Sequence, residues 1–346
     1  MTPLKILHYL AKPYSIPVTE SLRALTRASA TVDALCFAPT HLLARLSHDK
    51  ATDDLPSAVA FAPDVVLCPG NYVHDAIPGI KVQLFHGLCA EKPGHLRIRG
   101  FFQVYCTPGP AVTVEFERLA QKHRSFSVIE TGWPKMDRLF SQSPAPLALP
   151  GIHAGKKVIL YAPTFSRKYT SAPRLLPALA SLPREDEVVV VKLHDLHDRQ
   201  EREALRGLPP HRFVMVDDPD ITPCLKAADV MLSDTSSAVY EFALLKPWIV
   251  LVDPLRRDLP FISTHAQGVR TALDDAREHR GIDMARVDAL MAGMHPFHDA
   301  GSGQRVLDRI TDAAFLDKVR SLPKKRNWFR RLKLRWYGLT RRGYVK

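Results

Sequence analysis

Short apolar runs separated by polar stretches recur along the first half of the chain, at Leu4–Leu10, Val32–Phe37, Asp64–Cys68, Lys81–Phe85, Gln103–Cys106 and Ser127–Glu130. Several are continuous rather than alternating, the pattern of parallel strands covered by helices on both faces. Between the first two, Pro17–Ala30 carries Val18, Leu22 and Leu25 at helical spacing. The rhythm breaks at Ser141–Gly155, where three prolines and two glycines without helical or strand periodicity predict an interdomain linker. It then restarts, with strands expected at Lys157–Tyr161, Glu187–Leu193, Arg212–Val216, Asp229–Ser233 and Trp248–Val252. Helices are expected at Ala172–Ser181, His197–Arg206, Ile221–Ala227 and Ser237–Leu245. Two such blocks predict an α/β protein of two Rossmann-like, doubly wound domains facing a cleft, over residues 1–145 and 156–320.

Composition narrows this picture. The 346 residues suit two domains, and 46% apolar with 24% charged residues is a soluble globular balance. No apolar run reaches the length of about 18 residues that a spanning helix needs. The N-terminal stretch reads as a first buried strand rather than a secretory signal. Cys36, Cys68, Cys89, Cys106 and Cys224 show no CxxC spacing. Thiols scattered in this way predict a reducing, cytoplasmic setting and no structural zinc.

The net charge of +12 is unevenly placed, because Lys324–Lys346 holds ten Lys or Arg residues and no acid. The remaining body is close to neutral, which argues against nucleic acid as its partner. Within the tail, residues 321–346, Trp328, Leu332, Trp336 and Leu339 share one helical face and the basic residues fill the other. This predicts an amphipathic helix on an anionic membrane surface, with an RNA-binding tail or a helix packed on the body as the other readings.

The candidate chemistry begins at Asp229–Ser233, a strand leading through the polar turn Asp234-Thr235-Ser236-Ser237 into a helix. Ser236 or Ser237 at the N-cap leaves first-turn amides able to bind an anion, at the strand ends where open α/β sheets hold ligands. The plainer reading is that these serines only cap the helix. His86 follows a strand and precedes Gly87, so its ring is expected at a strand's carboxyl end. A neutral imidazole there can take a proton from a hydroxyl. His194 and His197 have the spacing of a metal pair, but no carboxylate or cysteine joins them, so no metal is expected.

Taken in order, these pieces resemble the CDP-glycerol glycerophosphotransferase family, the teichoic-acid-type enzymes of GT-B fold. The resemblance is carried by His86-Gly87, Gly132-Trp133-Pro134-Lys135-Met136-Asp137, Tyr161-Ala162-Pro163-Thr164, Lys192-Leu193-His194, Ala228-Asp229, Asp234-Thr235-Ser236-Ser237, Glu241 and Lys246-Pro247. Asp299 and Arg305 echo a last helix that begins after an acidic turn. Thr235 stands where the family has tyrosine, Asp195 where it has proline, and Leu88–Lys92 where it has Thr-Pro-Leu-Lys.

The resemblance implies transfer of glycerol phosphate, or a related alditol phosphate, from a CDP-activated donor to a hydroxyl. The acceptor would be lipid-linked or a polysaccharide, in assembly of a teichoic-acid-like, capsular or lipopolysaccharide polymer at the inner face of the membrane. It needs no cofactor. His86 would be the general base, and His194 would stabilise the charge of departing CMP. Thr164, Arg167, Lys192, Asp234, Ser236, Ser237 and Glu241 would surround the donor, with Gly87 and Lys92 on the acceptor side. Gly132 and Asp137 are expected to organise a loop rather than touch phosphorus. Two other functions fit the same pattern: a GT-B glycosyltransferase using a nucleotide sugar, and a catalytically silent, membrane-docked assembly protein.

Overall fold

The computed structural model describes residues 2–88, 96–141, 152 and 155–323. The chain divides into two compact units: residues up to Ser141 together with those from Gly293 onward, and Gln142–Ala292. The first contains a parallel sheet of β1 (Leu4–Tyr9), β2 (Val32–Phe37), β3 (Ala51–Thr52), β4 (Val65–Cys68), β5 (Ile80–Gln83), β6 (Val104–Thr107) and β7 (Ser127–Glu130). Their order is β3-β2-β1-β4-β5-β6-β7, with every pairing parallel. The chain therefore winds one way from β1 to β3 and the other way from β4, leaving a switch point between β1 and β4.

Continuous apolar runs are explained by burial on both sheet faces. Ile6, Val65, Leu67 and Val82 pack on one face with Leu22 of the helix Ser15–Ala28. Leu7, Tyr9, Val66 and Cys68 pack on the other with Phe85, Tyr105 and Phe116. Successive strand residues point to opposite faces, so both registers must be apolar.

The second unit repeats the plan with β8 (Lys157–Tyr161), β9 (Glu187–Lys192), β10 (Phe213–Val216), β11 (Val230–Ser233), β12 (Ile249–Val252) and β13 (Ile262–Thr264). The order is β10-β9-β8-β11-β12-β13, again parallel, so its switch point lies between β8 and β11. The four described cysteines are buried and unbridged. Among the described residues, no helix is long and apolar enough to cross a membrane.

One boundary differs from the sequence expectation. The second domain was expected to run to residue 320, but helices Ser302–Thr311 and Ala313–Ser321 return to the first unit. Val306, Leu307, Ile310, Phe315, Leu316 and Val319 join the core that contains Ile6, Leu22 and Val65. Amphipathic spacing announces that such helices bury a face; it does not say against which sheet. Most of the linker expected at Ser141–Gly155 lies outside the described residues, as does the whole tail from Lys324.

The returning chain is held by the Gly132–Asp137 motif. Asp137 accepts hydrogen bonds from the amides of Ser302 (2.8 Å) and Gly303 (2.7 Å), at the start of the helix Ser302–Thr311. Burial pushes the His295 pKa down to about 4, so its neutral Nε2 accepts the Trp133 amide at 2.9 Å. Arg305 donates to the Thr131 carbonyl at 2.8 Å and pairs with Asp299 at 2.7 Å. Gly132 has φ +77°, and a Cβ there would meet the Ser302 hydroxyl at 2.5 Å. Asp137→Ala should therefore destabilise the first unit by about 2 kcal/mol, by orphaning two buried amides at a helix start. A urea midpoint equal to wild type would refute this bracing role.

Candidate active site

The expected donor residues gather at the carboxyl ends of β8, β9 and β11. Asp234 follows β11 and is only 2% exposed. One of its oxygens accepts the Thr164 amide at 2.8 Å, and the other accepts the Ser171 amide (2.7 Å) and hydroxyl (2.9 Å). Asp234 thus ties the loop after β8 to the loop after β11 across the switch point. Its carboxylate is spent on this clasp, which makes it a positioning group. Burial pushes its pKa up to about 6, against the lowering effect of those hydrogen bonds.

The serine corner differs from its expected geometry. The helix is shorter than predicted, Ala238–Ala243, and Ser237 at its N-cap makes no side-chain capping bond. Ser236 Oγ accepts the Ala238 amide at 3.4 Å, while the Val239 and Tyr240 amides turn back to the Ser236 and Ser237 carbonyls. Part of the donor set expected to be open is therefore used within the turn. Both serines remain partly exposed. Glu241 is buried on this helix.

His194 stands exposed beyond β9. Its Nδ1 accepts the Leu196 amide at 3.1 Å, which puts the proton of the neutral ring on Nε2. The Phe165 ring packs on the imidazole, with centroids 4.4 Å apart. His197 is buried and directed at Glu201, 2.7 Å away, so it does not join His194 as a pair. Lys192 is buried, with Nζ 2.9 Å from the Leu193 carbonyl. Arg167 is exposed and pairs with Asp198 at the N-cap of the helix Arg199–Arg206.

Other motif residues are scaffold. Asp229 accepts the Val158 amide at 2.8 Å, and Lys246 reaches the Ala228 carbonyl at 2.6 Å. Thr235 accepts the Leu255 amide at 3.0 Å, tethering the loop after β12. Ser171 was missed by sequence reasoning, since no motif marks a serine 63 residues before its partner.

In the first unit His86 leaves β5 half-buried, and Gly87 behind it is buried. Phe85, just before it, has φ +61°, a costly region for an aromatic residue. Its ring packs against Phe116 (centroids 5.1 Å apart) and Tyr105 (6.2 Å), and its carbonyl accepts the Trp133 indole N–H at 3.4 Å. Lys92 lies outside the described residues. Among the described residues, no cluster of three His, Cys, Asp or Glu could hold a metal.

Two parallel sheets with Rossmann order and helices on their faces define an α/β architecture of the GT-B class. Residues 110–257 match the family model described as CDP-glycerol:poly(glycerophosphate) glycerophosphotransferase, so this segment of the chain is similar to the transferases of that family. Among solved structures it is similar to the wall teichoic acid polymerase TagF, at 13% identity and TM-score 0.64, covering 92% of this chain and 89% of that one. It is also similar to UDP-N-acetylglucosamine 2-epimerase from Neisseria meningitidis bound to UDP-GlcNAc, at 14% identity and TM-score 0.61, covering 89% and 99%. A third is the S. aureus MnaA–UDP co-structure, at 14% identity and TM-score 0.61, covering 94% and 100%. At these identities the likeness is one of fold. No curated protein sequence matches the chain.

Proposed function

We propose that this chain transfers glycerol phosphate, or a related alditol phosphate, from a CDP-activated donor to a hydroxyl of a lipid-linked or polysaccharide acceptor. The observation that carries this reading is the family segment, residues 110–257. It contains the Asp234 clasp and the exposed His194. A variant of TagF soaked with CDPG, itself similar in fold at 14% identity, supports the same donor. In the reaction, the acceptor oxygen bonds to the donor's distal phosphorus. The bond from that phosphorus to the bridging oxygen breaks, releasing CMP. His86 takes the acceptor proton, and His194 Nε2–H donates a hydrogen bond to the leaving phosphate. A surface polymer fits the acceptor chemistry, and the basic tail from Lys324 would hold the enzyme at an anionic membrane where that acceptor resides.

Incubating the purified protein with CDP-glycerol and a membrane extract should release CMP. UDP released from a UDP-sugar instead would favour the nucleotide-sugar reading, which the UDP-bound fold relatives support. Tight nucleotide binding without turnover would favour a silent assembly protein. In the same preparation, deleting Lys324–Lys346 should abolish co-sedimentation with phosphatidylglycerol vesicles. Unchanged co-sedimentation would remove the membrane role.

A further inference from the structure

We propose that Tyr14 is a positioning residue that sets the His86 imidazole for proton transfer, a role resting on the reading of His86 as general base. Tyr14 lies between β1 and the helix Ser15–Ala28, at the carboxyl end of a strand that flanks the first sheet's switch point. Its ring faces the His86 ring with centroids 5.4 Å apart and planes inclined by 31°. Its other end abuts the exit of β4, since a Cβ on Gly70 would lie 3.4 Å from the Tyr14 hydroxyl. The phenol therefore spans from the β4 exit to the imidazole. Burial, reinforced by Cys68, raises its pKa, so it stays neutral wherever a histidine titrates.

The His86 backbone is already fixed by other groups. Phe85 holds its left-handed φ of +61° within an aromatic cluster and under the Trp133 indole. What that backbone does not fix is rotation of the imidazole about its side-chain bonds. The Tyr14 ring removes that freedom on one side. An electron-rich face beside the imidazole also favours the imidazolium that forms as the acceptor's proton arrives. Both effects act in the proton-transfer step and neither touches the donor.

Tyr14→Leu should therefore lower kcat roughly 10- to 100-fold, the scale of a misplaced catalytic group, at unchanged KM for CDP-glycerol. The acidic limb of its kcat–pH profile should move to lower pH. Tyr14→Phe, which keeps the ring, should retain turnover and profile. In a His86→Ala background, Tyr14→Leu should cost nothing further. Wild-type kcat and pH profile in a folded Tyr14→Leu protein would overturn the proposal. So would an equal loss in Tyr14→Phe, or the same loss persisting without His86. If Tyr14→Leu does not fold, Tyr14→Met substitutes for it under the same criteria. Should His86→Ala itself keep full turnover, the general-base reading fails. Should His86→Ala be inactive while Tyr14→Leu is unaffected, only the present inference fails.

Discussion

His86→Ala should lower CMP release by roughly 10²–10⁴-fold, the range contributed by a positioned general base. Folding should be unaffected, because His86 is half-buried at a strand exit and belongs to neither of the apolar clusters on the first sheet. The KM for CDP-glycerol should also be preserved. The groups placed about the donor stand on β8, β9 and β11 of the second unit, whereas His86 leaves β5 of the first. The strained Phe85 gives this prediction its physical basis. A left-handed aromatic residue costs on the order of 1–3 kcal/mol, which survives only where the surrounding packing enforces it. Here that packing holds one strand end at a fixed angle, and His86 is the next residue. Steady-state CMP release by His86→Ala and wild type decides the matter. Full turnover in the variant would end the general-base assignment.

The fold was largely legible because parallel strands buried on both faces leave continuous apolar runs. Val32–Phe37, Ser127–Glu130 and Lys157–Tyr161 form strands with the bounds their apolar runs predict. The two strands that escaped, Ala51–Thr52 and Ile262–Thr264, are short edge strands with only partial burial at most positions. They carry too little apolar length to register as a pattern. Long-range choices were equally hidden: nothing in Val306 or Phe315 names the first sheet as their partner. At the site, motif spacing found the right loops but not the duties within them. Asp234, Asp229 and Asp137 all belong to matching motifs, yet each spends its carboxylate on backbone amides. A motif match locates residues that the architecture requires, and only hydrogen-bond partners separate those that hold the site from those that face it. His194, exposed and with its Nδ1 taken by the Leu196 amide, is the residue proposed for the second kind.

Asp234→Ala tests the first kind, and its expected cost is about 3–5 kcal/mol. Removing the carboxylate orphans the Thr164 and Ser171 amides and the Ser171 hydroxyl, at roughly 1–3 kcal/mol for each buried donor. The loops after β8 and β11 would separate, so donor binding should fail along with stability. Asp234→Asn is the more discriminating variant, because it keeps one acceptor oxygen and has no charge to bury. The folded pKa of Asp234 is raised to about 6 from 3.8, so its ionised form is the disfavoured one in the fold. The stability this group contributes is therefore full below pH 4 and declines as pH rises through about 6. Asparagine lacks that titration. The stability difference between wild type and Asp234→Asn should be largest near pH 4 and should shrink by pH 7. Urea midpoints of the two proteins across that range measure it. A difference that stays constant, or grows with pH, would mean that burial does not dominate at Asp234. At neutral pH the clasp is then charged at a stability cost set by its burial, against which the hydrogen bonds from the Thr164 and Ser171 amides and the Ser171 hydroxyl act.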